Sequence, residues 1–166
     1  MSILNPPCFL RRIKNEFGDL SNPTKLPLNY SLSFQDINEN FTIFFITNNN
    51  NKKKTILKFI VTREYPFKSP QFFINNIKYE LYYKNLPFHI NKFLIEKLNV
   101  QCLCCSTILC SHNWNPGIKI LDIIKEFEFR ENLIKLWFIK NVLMKLSLKY
   151  NNFNEDLINL IIDKMY

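Results

Sequence analysis

Hydrophobic and polar positions at the start of the chain follow the spacing of an amphipathic helix over 9–20. The apolar positions of this pattern are Leu10, Ile13, Phe17 and Leu20. Charged residues occupy the other faces, and the basic side is formed by Arg11, Arg12 and Lys14. The Ser-Asn-Pro sequence at 21–23 ends the pattern, because proline cannot continue a helix.

The period then shortens to the two-residue alternation that is typical of β-strands. Three segments alternate or are rich in β-branched and aromatic residues, and they span 28–34, 41–47 and 55–61. The connections at 36–40 and 48–54 have hairpin length, so we expect an antiparallel meander. A Tyr-Pro-Phe-Lys-Ser-Pro turn follows at 65–70, and a fourth strand is predicted over 71–77.

The second half of the chain is predicted to be first irregular and then helical. Regular patterning is weak over 78–91, and a short helix is indicated over 92–98. Helical periodicity dominates 118–148, with a break expected near 129–132. A last helix is predicted over 154–165, where an asparagine N-cap precedes two acidic residues.

These elements predict an α+β fold. Its order is an N-terminal helix, a four-stranded antiparallel meander sheet, an irregular segment that holds the candidate active site, and C-terminal helices. A chain of 166 residues, 47% of them hydrophobic, can fill one core. We therefore expect a single domain over 1–166, with its core at 9–127 and a divergent helical part at 128–166.

Composition argues against several classes of function. With only two glycines the chain cannot build a glycine-rich phosphate loop, and no cofactor is expected. The net charge of +8 is scattered, and the single lysine run at 52–54 is typical of a solvated loop, so nucleic acid is not an expected partner. No apolar run is long enough to span a bilayer, so no membrane partner is expected. Five cysteines, an odd number, favour a reducing compartment, cytoplasmic or nuclear.

The densest chemistry lies at 101–117, where four of the five cysteines accompany a histidine and a tryptophan. A cysteine thiolate is a strong nucleophile, so the cluster is suited to carrying an acyl group as a thioester. The spacing C-x2-C-x4-C-x-H also suits a zinc site, whose ligands would be Cys102, Cys105, Cys110 and His112. A third interpretation treats several of the cysteines as small buried apolar side chains. Spacing alone leaves all three open.

Four features taken together resemble the core of a ubiquitin-conjugating enzyme. They are the basic N-terminal helix, the four-strand meander, the YPFKSP turn after the third strand, and a cysteine followed by STIL, CSHN and WNPG. The resemblance covers most of the chain, from 9 to 127. Cys105 best matches the active-site cysteine of that family, since STIL follows it directly and Trp114 lies nine positions later. Cys104 and Cys102 are the runners-up.

The resemblance implies a thioester relay. Cys105 would accept the C-terminal glycine of ubiquitin, or of a ubiquitin-like protein such as NEDD8, from an activating enzyme. It would then pass the modifier to a substrate lysine or to a ligase cysteine. The resemblance also implies two binding surfaces. The activating enzyme would meet a basic face formed by Arg11, Arg12 and Lys14. A ubiquitin-type ligase would meet a patch formed by Phe67, Lys68, Pro116 and Gly117.

The chain departs from the family where that family supports catalysis. The family has a His-Pro-Asn triplet before the cysteine, whose asparagine stabilises the loop and the oxyanion. This chain lacks the triplet, and its nearest counterpart, Asn91, lies fourteen positions before Cys105. Asn85 and Asn99 compete for the same role. The departure motivates an alternative function, in which an inactive domain of the same fold is a binding module for ubiquitin-like proteins or partner enzymes.

Overall fold

The computed structural model describes residues 8–22, 30–37, 41–48 and 54–150. Within these ranges the protein has an α+β fold with one open sheet of five antiparallel strands, so the predicted class and the antiparallel sheet are confirmed. The helices are α1 (Cys8–Leu20), α2 (Tyr79–Lys84), α3 (Phe88–Leu98) and α4 (Ile120–Tyr150). The strands are β1 (Tyr30–Ile37), β2 (Phe41–Asn48), β3 (Thr55–Thr62), β4 (Gln71–Ile74) and β5 (Ile77–Lys78).

Each strand of the sheet pairs with its neighbour in the chain, in the order β1-β2-β3-β4-β5. The register places Phe44 opposite Phe59 and Phe59 opposite Phe72. The three rings are buried and stack across the central strands, with centroids 5.0 and 4.5 Å apart. A slip of one residue would turn these rings to the opposite face, so the stack stabilises the register.

The predicted fourth strand over 71–77 is too long. β4 ends at Ile74, and Asn75 and Asn76 then turn with φ angles of 48° and 68° before β5 begins. Asparagine tolerates this left-handed region because its short side chain can hydrogen-bond locally. Here the Asn75 side-chain oxygen accepts from the Ile56 amide at 2.8 Å. A tight hairpin therefore replaces the end of the predicted strand.

Two helices, α2 and α3, occupy the segment over 79–98. The sequence showed little regular pattern over the first part of this segment, up to position 91. α2 buries two tyrosines one turn apart, and α3 buries Ile90 and Leu94 one turn apart. The helix predicted over 92–98 is the last part of α3. Asn99 ends α3 in the left-handed conformation, and the cysteine-rich segment begins directly after it.

The break predicted near 129–132 is wrong, because α4 runs through these positions without interruption and contains neither glycine nor proline. Arg130, at the centre of the expected break, is only 2% exposed and forms a 2.7 Å ion pair with Glu126. The helix predicted over 154–165 lies outside the described residues. At 31 residues α4 is long, but neither it nor any other described helix is apolar enough to cross a membrane.

The core joins one face of the sheet to α1 and α4. Phe17 of α1 meets Phe44 edge to face, with ring centroids 5.3 Å apart. Phe127 of α4 meets Phe72 in the same way at 6.2 Å. Because the cysteine-rich segment connects α3 to α4, and both helices contribute buried residues, its two ends are anchored in this core.

Candidate active site in the cysteine-rich loop

Residues 101–113 form a loop between α3 and Trp114, and we call it the cysteine loop. It brings together the sulfur atoms of Cys102, Cys104 and Cys105, which all lie within 4.8 Å of one another. The Sγ atoms of Cys102 and Cys104 are 2.7 Å apart, and those of Cys104 and Cys105 are 3.7 Å apart. Cys102 is half-buried and the other two are exposed, so an incoming group can reach the sulfur cluster from solvent.

Hydrogen bonds fold the cysteine loop into successive turns. The Ser106 amide donates to the Cys102 carbonyl at 3.2 Å. The side-chain amide of Asn113 donates to the Cys105 carbonyl at 2.8 Å and to the Thr107 carbonyl at 2.9 Å. Asn113 therefore braces the loop directly behind the clustered sulfurs.

Helix α4 clamps the cysteine loop from its buried side. Arg130 donates through Nη1 to the Leu103 carbonyl and through Nη2 to the Ser106 hydroxyl, both at 3.1 Å. Glu126 pairs with Arg130 through Oε1 at 2.7 Å and accepts from the Ile108 amide through Oε2 at 2.9 Å. Buried charges are stable when they are paired and hydrogen-bonded in this way. The α4 clamp, formed by Glu126 and Arg130, thus holds the loop at Leu103 within the cluster and at Ser106 and Ile108 after it.

The clustered thiols differ in acidity because they hydrogen-bond to one another. A hydrogen bond from the Cys104 thiol, together with the backbone N–H groups of Cys105 and Cys104, lowers the pKa of Cys102 to about 7. Hydrogen bonds to the sulfurs of Cys104 and Cys102, and repulsion from their negative charge, raise the pKa of Cys105 to about 11. As the pH rises, the first of these two thiols to lose its proton is therefore Cys102.

The turn predicted at 65–70 lies beside the end of the cysteine loop. Trp114 Nε1 donates to the Pro66 carbonyl at 2.7 Å, and the indole ring is 6.0 Å from the ring of Tyr65. The Trp114 amide donates to the Cys110 carbonyl at 2.9 Å. The tryptophan is thereby bound to the loop on one side and to the turn on the other.

A buried glutamate connects this turn to α1 and to the start of α4. Glu16 Oε1 accepts from the Tyr65 hydroxyl at 2.6 Å, and Oε2 accepts from the Ile120 amide at 2.9 Å. Arg12 donates to Glu16 at 2.7 Å and to the Ile118 carbonyl at 3.0 Å. Burial, reinforced by the Glu16 carboxylate, raises the pKa of Tyr65 far above its ordinary value, so the hydroxyl remains a donor. We call this set of contacts the Glu16 network.

The residues expected to bind a ligase lie on two surface loops that the tryptophan hydrogen bond holds together. Phe67 is 74% exposed, and Pro116 and Gly117 are exposed as well. Lys68 is exposed and forms an ion pair with a glutamate of the same turn at 2.6 Å. The apolar side of this surface is open to a partner.

The basic side of α1 is smaller than the sequence suggested. Arg11 and Lys14 are exposed. Arg12 instead turns inward and is committed to the Glu16 network. Two of the three basic residues are left on the surface for contact with another protein.

The four zinc ligands that the sequence spacing suggested fall into two groups. Cys102 and Cys105 belong to the sulfur cluster, whereas Cys110 and His112 form their own contact, with Sγ 3.7 Å from Nδ1. In the described part of the chain, no fourth cysteine, histidine, aspartate or glutamate joins the clustered sulfurs. Cys104, which the zinc spacing left out, takes the third position.

Asn91 lines a cavity of about 630 Å³ between α2, α3 and the cysteine loop, and Cys102 and Cys104 line the same cavity. Its Nδ2 donates to a main-chain carbonyl at 3.0 Å. Its Oδ1 is buried and has no hydrogen-bond partner among the described residues. The competing asparagines have other roles, because Asn85 and Asn99 end α2 and α3.

Glu126 and Arg130 are site residues that the sequence analysis did not identify, although a signal was present. The buried face of α4 includes Ile123, Phe127 and Ile134 at helical spacing, and Arg130 falls in the same stripe. A charge inside an apolar stripe, with an opposite charge four residues before it, indicates a buried ion pair.

Comparison of the chain with models of known protein families, with curated proteins and with solved structures gave no match. The function of the site has to be inferred from its own residues and geometry.

Proposed function

We propose that the protein is a conjugating enzyme of the ubiquitin-conjugating type that carries a ubiquitin-like modifier as a thioester on Cys105. The observation that carries this proposal is the hydrogen bond from Trp114 Nε1 to the Pro66 carbonyl. It joins the WNPG and YPFKSP motifs, on which the family resemblance rests, at the end of a loop with an exposed cluster of thiols. The order of an N-terminal helix, an antiparallel sheet, a cysteine loop and a long helix is loosely consistent with that family, although α2 and α3 stand between the sheet and the loop.

Cys105 is the proposed carrier because of its position in the loop. Its side chain is exposed, and Asn113 holds its carbonyl, so the main chain that presents the thiol is fixed. The STIL sequence that follows it is the part of the segment that resembles the family. Cys102 and Cys104 lie close enough to compete for the acyl group, and single variants separate the three.

The proposed reaction has two acyl transfers. The Cys105 thiol passes its proton to solvent, and the resulting thiolate attacks the carbonyl carbon of the modifier's terminal glycine, which arrives as a thioester on the activating enzyme. A carbon–sulfur bond forms, the earlier one breaks, and the sulfur of the activating enzyme leaves as a thiolate. A lysine amine then attacks the same carbon, an amide forms, the cysteine leaves as a thiolate, and the amine proton passes to solvent. With a ligase cysteine as acceptor, the second step is another thioester exchange.

Two asparagines divide the role that one asparagine has in the family. Asn113 braces the loop through the Cys105 and Thr107 carbonyls. Asn91 lines the same cavity as Cys102 and Cys104, and one of its two side-chain N–H groups is left over after the bond to the main chain. We assign this N–H to the oxyanion that forms when the acyl carbon is attacked.

The test is a charging assay. The protein is incubated with an activating enzyme, ATP and either ubiquitin or NEDD8, and the products are compared on gels with and without reductant. We expect a band of added modifier mass that reductant removes. Cys105→Ser should lose this band or convert it to a reductant-resistant ester, because the serine hydroxyl forms an oxygen ester. Cys110→Ser, which changes a cysteine of the same loop outside the cluster, should charge like the wild type.

A reductant-sensitive band that persists in Cys105→Ser and is lost in Cys102→Ser or Cys104→Ser would move the carrier within the cluster. No charging by either modifier would contradict the proposal and favour the binding-module alternative. Titration of labelled, uncharged modifier then tests the alternative, because a binding module should bind it measurably in both the wild type and Cys105→Ser.

A further inference from the structure

We propose that Cys102, Cys104 and Cys105 form a three-thiolate site for a thiophilic metal ion of the copper(I) class. This inference goes beyond the proposed function and does not depend on it. It concerns a different set of ligands from the zinc spacing seen in the sequence, since Cys104 replaces Cys110 and His112.

The positions of the sulfurs support the site. Three sulfurs that surround one ion at about 2.3 Å in a plane lie about 4 Å from one another. The three Sγ atoms are already within 4.8 Å, and the Cys104–Cys105 separation is 3.7 Å. The closer pair, Cys102 and Cys104, has to open by about 1 Å to reach this geometry, and the exposed Cys104 side chain can rotate away from its neighbour.

The number and kind of ligands select the ion. A structural zinc ion takes four ligands, and in the described ranges no fourth cysteine, histidine or carboxylate joins the cluster. Thiolates are soft ligands that favour copper(I), which is stable with three of them. Zinc at this cluster would need water as a fourth ligand, whereas copper(I) is complete with three sulfurs, so the site suits copper(I) better than structural zinc.

The cluster is built on a fixed frame rather than on a mobile loop. Arg130, which is 2% exposed, holds the Leu103 carbonyl between the first two sulfurs, and Asn113 holds the Cys105 carbonyl behind the third. Ligands that are positioned before the ion arrives bind it more tightly, because less freedom is lost on binding. The exposed Cys104 and Cys105 leave an entry path for the ion.

Occupancy by an ion and charging by a modifier exclude each other in this arrangement. A thiolate bound to copper(I) shares its negative charge with the ion and is a much weaker nucleophile toward an acyl carbon, and all three candidate carriers are ligands of the ion. We therefore expect copper(I) to block the formation of any thioester on the cluster.

The test measures copper(I) binding directly, without modifier or activating enzyme. Metal-free, reduced protein is titrated anaerobically against a chromophoric chelator that holds copper(I). We expect one ion per chain, and X-ray absorption should give three sulfur neighbours at about 2.3 Å. Cys104→Ser should weaken binding by at least about tenfold, the loss typical of a disturbed coordination shell. Cys110→Ser is the matched control and should bind like the wild type.

Two results would overturn the inference: no binding above that of a Cys102→Ser/Cys104→Ser/Cys105→Ser variant, or a loss in Cys110→Ser as large as in Cys104→Ser. Because Cys104 is exposed and the α4 clamp does not touch its side chain, Cys104→Ser should keep the unfolding midpoint of the wild type in urea. The charging assay is run separately on metal-free protein with a chelator present, so failure of one proposal leaves the other standing.

Discussion

Three cysteines with identical side chains occupy different environments within four positions of the cysteine loop. Cys102 accepts a hydrogen bond from the Cys104 thiol and weaker ones from the backbone N–H groups of Cys105 and Cys104. Cys105 ends the same turn and has sulfurs rather than N–H groups as its neighbours. Hydrogen bonds among the sulfurs therefore separate the two thiols in acidity, the backbone N–H groups add to the difference at Cys102, and burial contributes little.

This difference predicts a pH dependence for alkylation of the metal-free protein. The pKa of Cys102 is lowered to about 7, so its thiolate, which is the reactive form, becomes populated as the pH rises through 7. We expect the rate of Cys102 modification by iodoacetamide, followed by peptide mass spectrometry, to reach its half-maximum near that pH.

Cys104→Ser removes the sulfur that donates the principal hydrogen bond to Cys102, so its profile should be altered whereas that of Cys110→Ser should match the wild type. A half-maximum for Cys102 at the pH of an ordinary cysteine, about 8.5, would show that the turn does not stabilise the thiolate.

At the scale of secondary-structure elements, α4 has two roles in the same stretch of helix. Its apolar stripe completes the core, and the ion pair within that stripe holds the cysteine loop. Substituting methionine for Arg130 leaves Glu126 without its cation and the Leu103 carbonyl without its donor. Removing one partner of a buried ion pair is costly, so we expect Arg130→Met to lower the free energy of unfolding by about 3 kcal/mol in urea titrations.

Lys125→Met is the matched control for this change, since it removes a positive charge at an exposed position of the same helix and should stay within about 0.5 kcal/mol of the wild type. If Arg130→Met is no more destabilising than Lys125→Met, the clamp does not hold the loop.

At the scale of the whole molecule, the Glu16 network ties together parts of the chain that are far apart in sequence. Glu16 is separated from Tyr65 by 49 residues and from Ile120 by 104. Hydrogen bonds to a buried carboxylate are stronger than neutral ones, so Glu16→Gln and Tyr65→Phe should each destabilise the fold. A double-mutant cycle in urea should give a coupling of about 2 kcal/mol between them.

Glu80→Gln provides the comparison for this cycle, because Glu80 pairs with Lys78 on the surface and such pairs contribute little. A coupling between Glu16 and Tyr65 below about 0.5 kcal/mol would mean that the network is not a structural link.

The elements predicted most accurately from the sequence are those whose residue pattern fits only one type of secondary structure. α1, β2 and β3 lie within one residue of their predicted limits, because α1 and β3 have a clear period and β2 is rich in β-branched and aromatic residues. The β4–β5 hairpin was missed because it depends on the left-handed conformation of two asparagines, which no period records. The continuity of α4 was missed because a buried arginine resembles a loop residue until its partners are known.

The candidate site was predicted residue by residue but not as a group. All three clustered cysteines were candidate carriers, yet spacing placed Cys110 and His112 with them, and the structure separates that pair. Which sulfurs meet depends on the turns within the loop. Those turns are fixed in part by Glu126 and Arg130, which come many positions later in the chain.

The α4 clamp and the Asn113 brace grip the cysteine loop by its main chain and by Ser106, and none of these contacts uses a sulfur. Scaffold and chemistry are therefore separable at positions 102, 104 and 105. Side chains there can change, in evolution or by design, without loosening the frame that presents them. A histidine or a selenocysteine at one of these positions would be held by the same main-chain contacts. The same loop could therefore support more than one kind of reactive side chain.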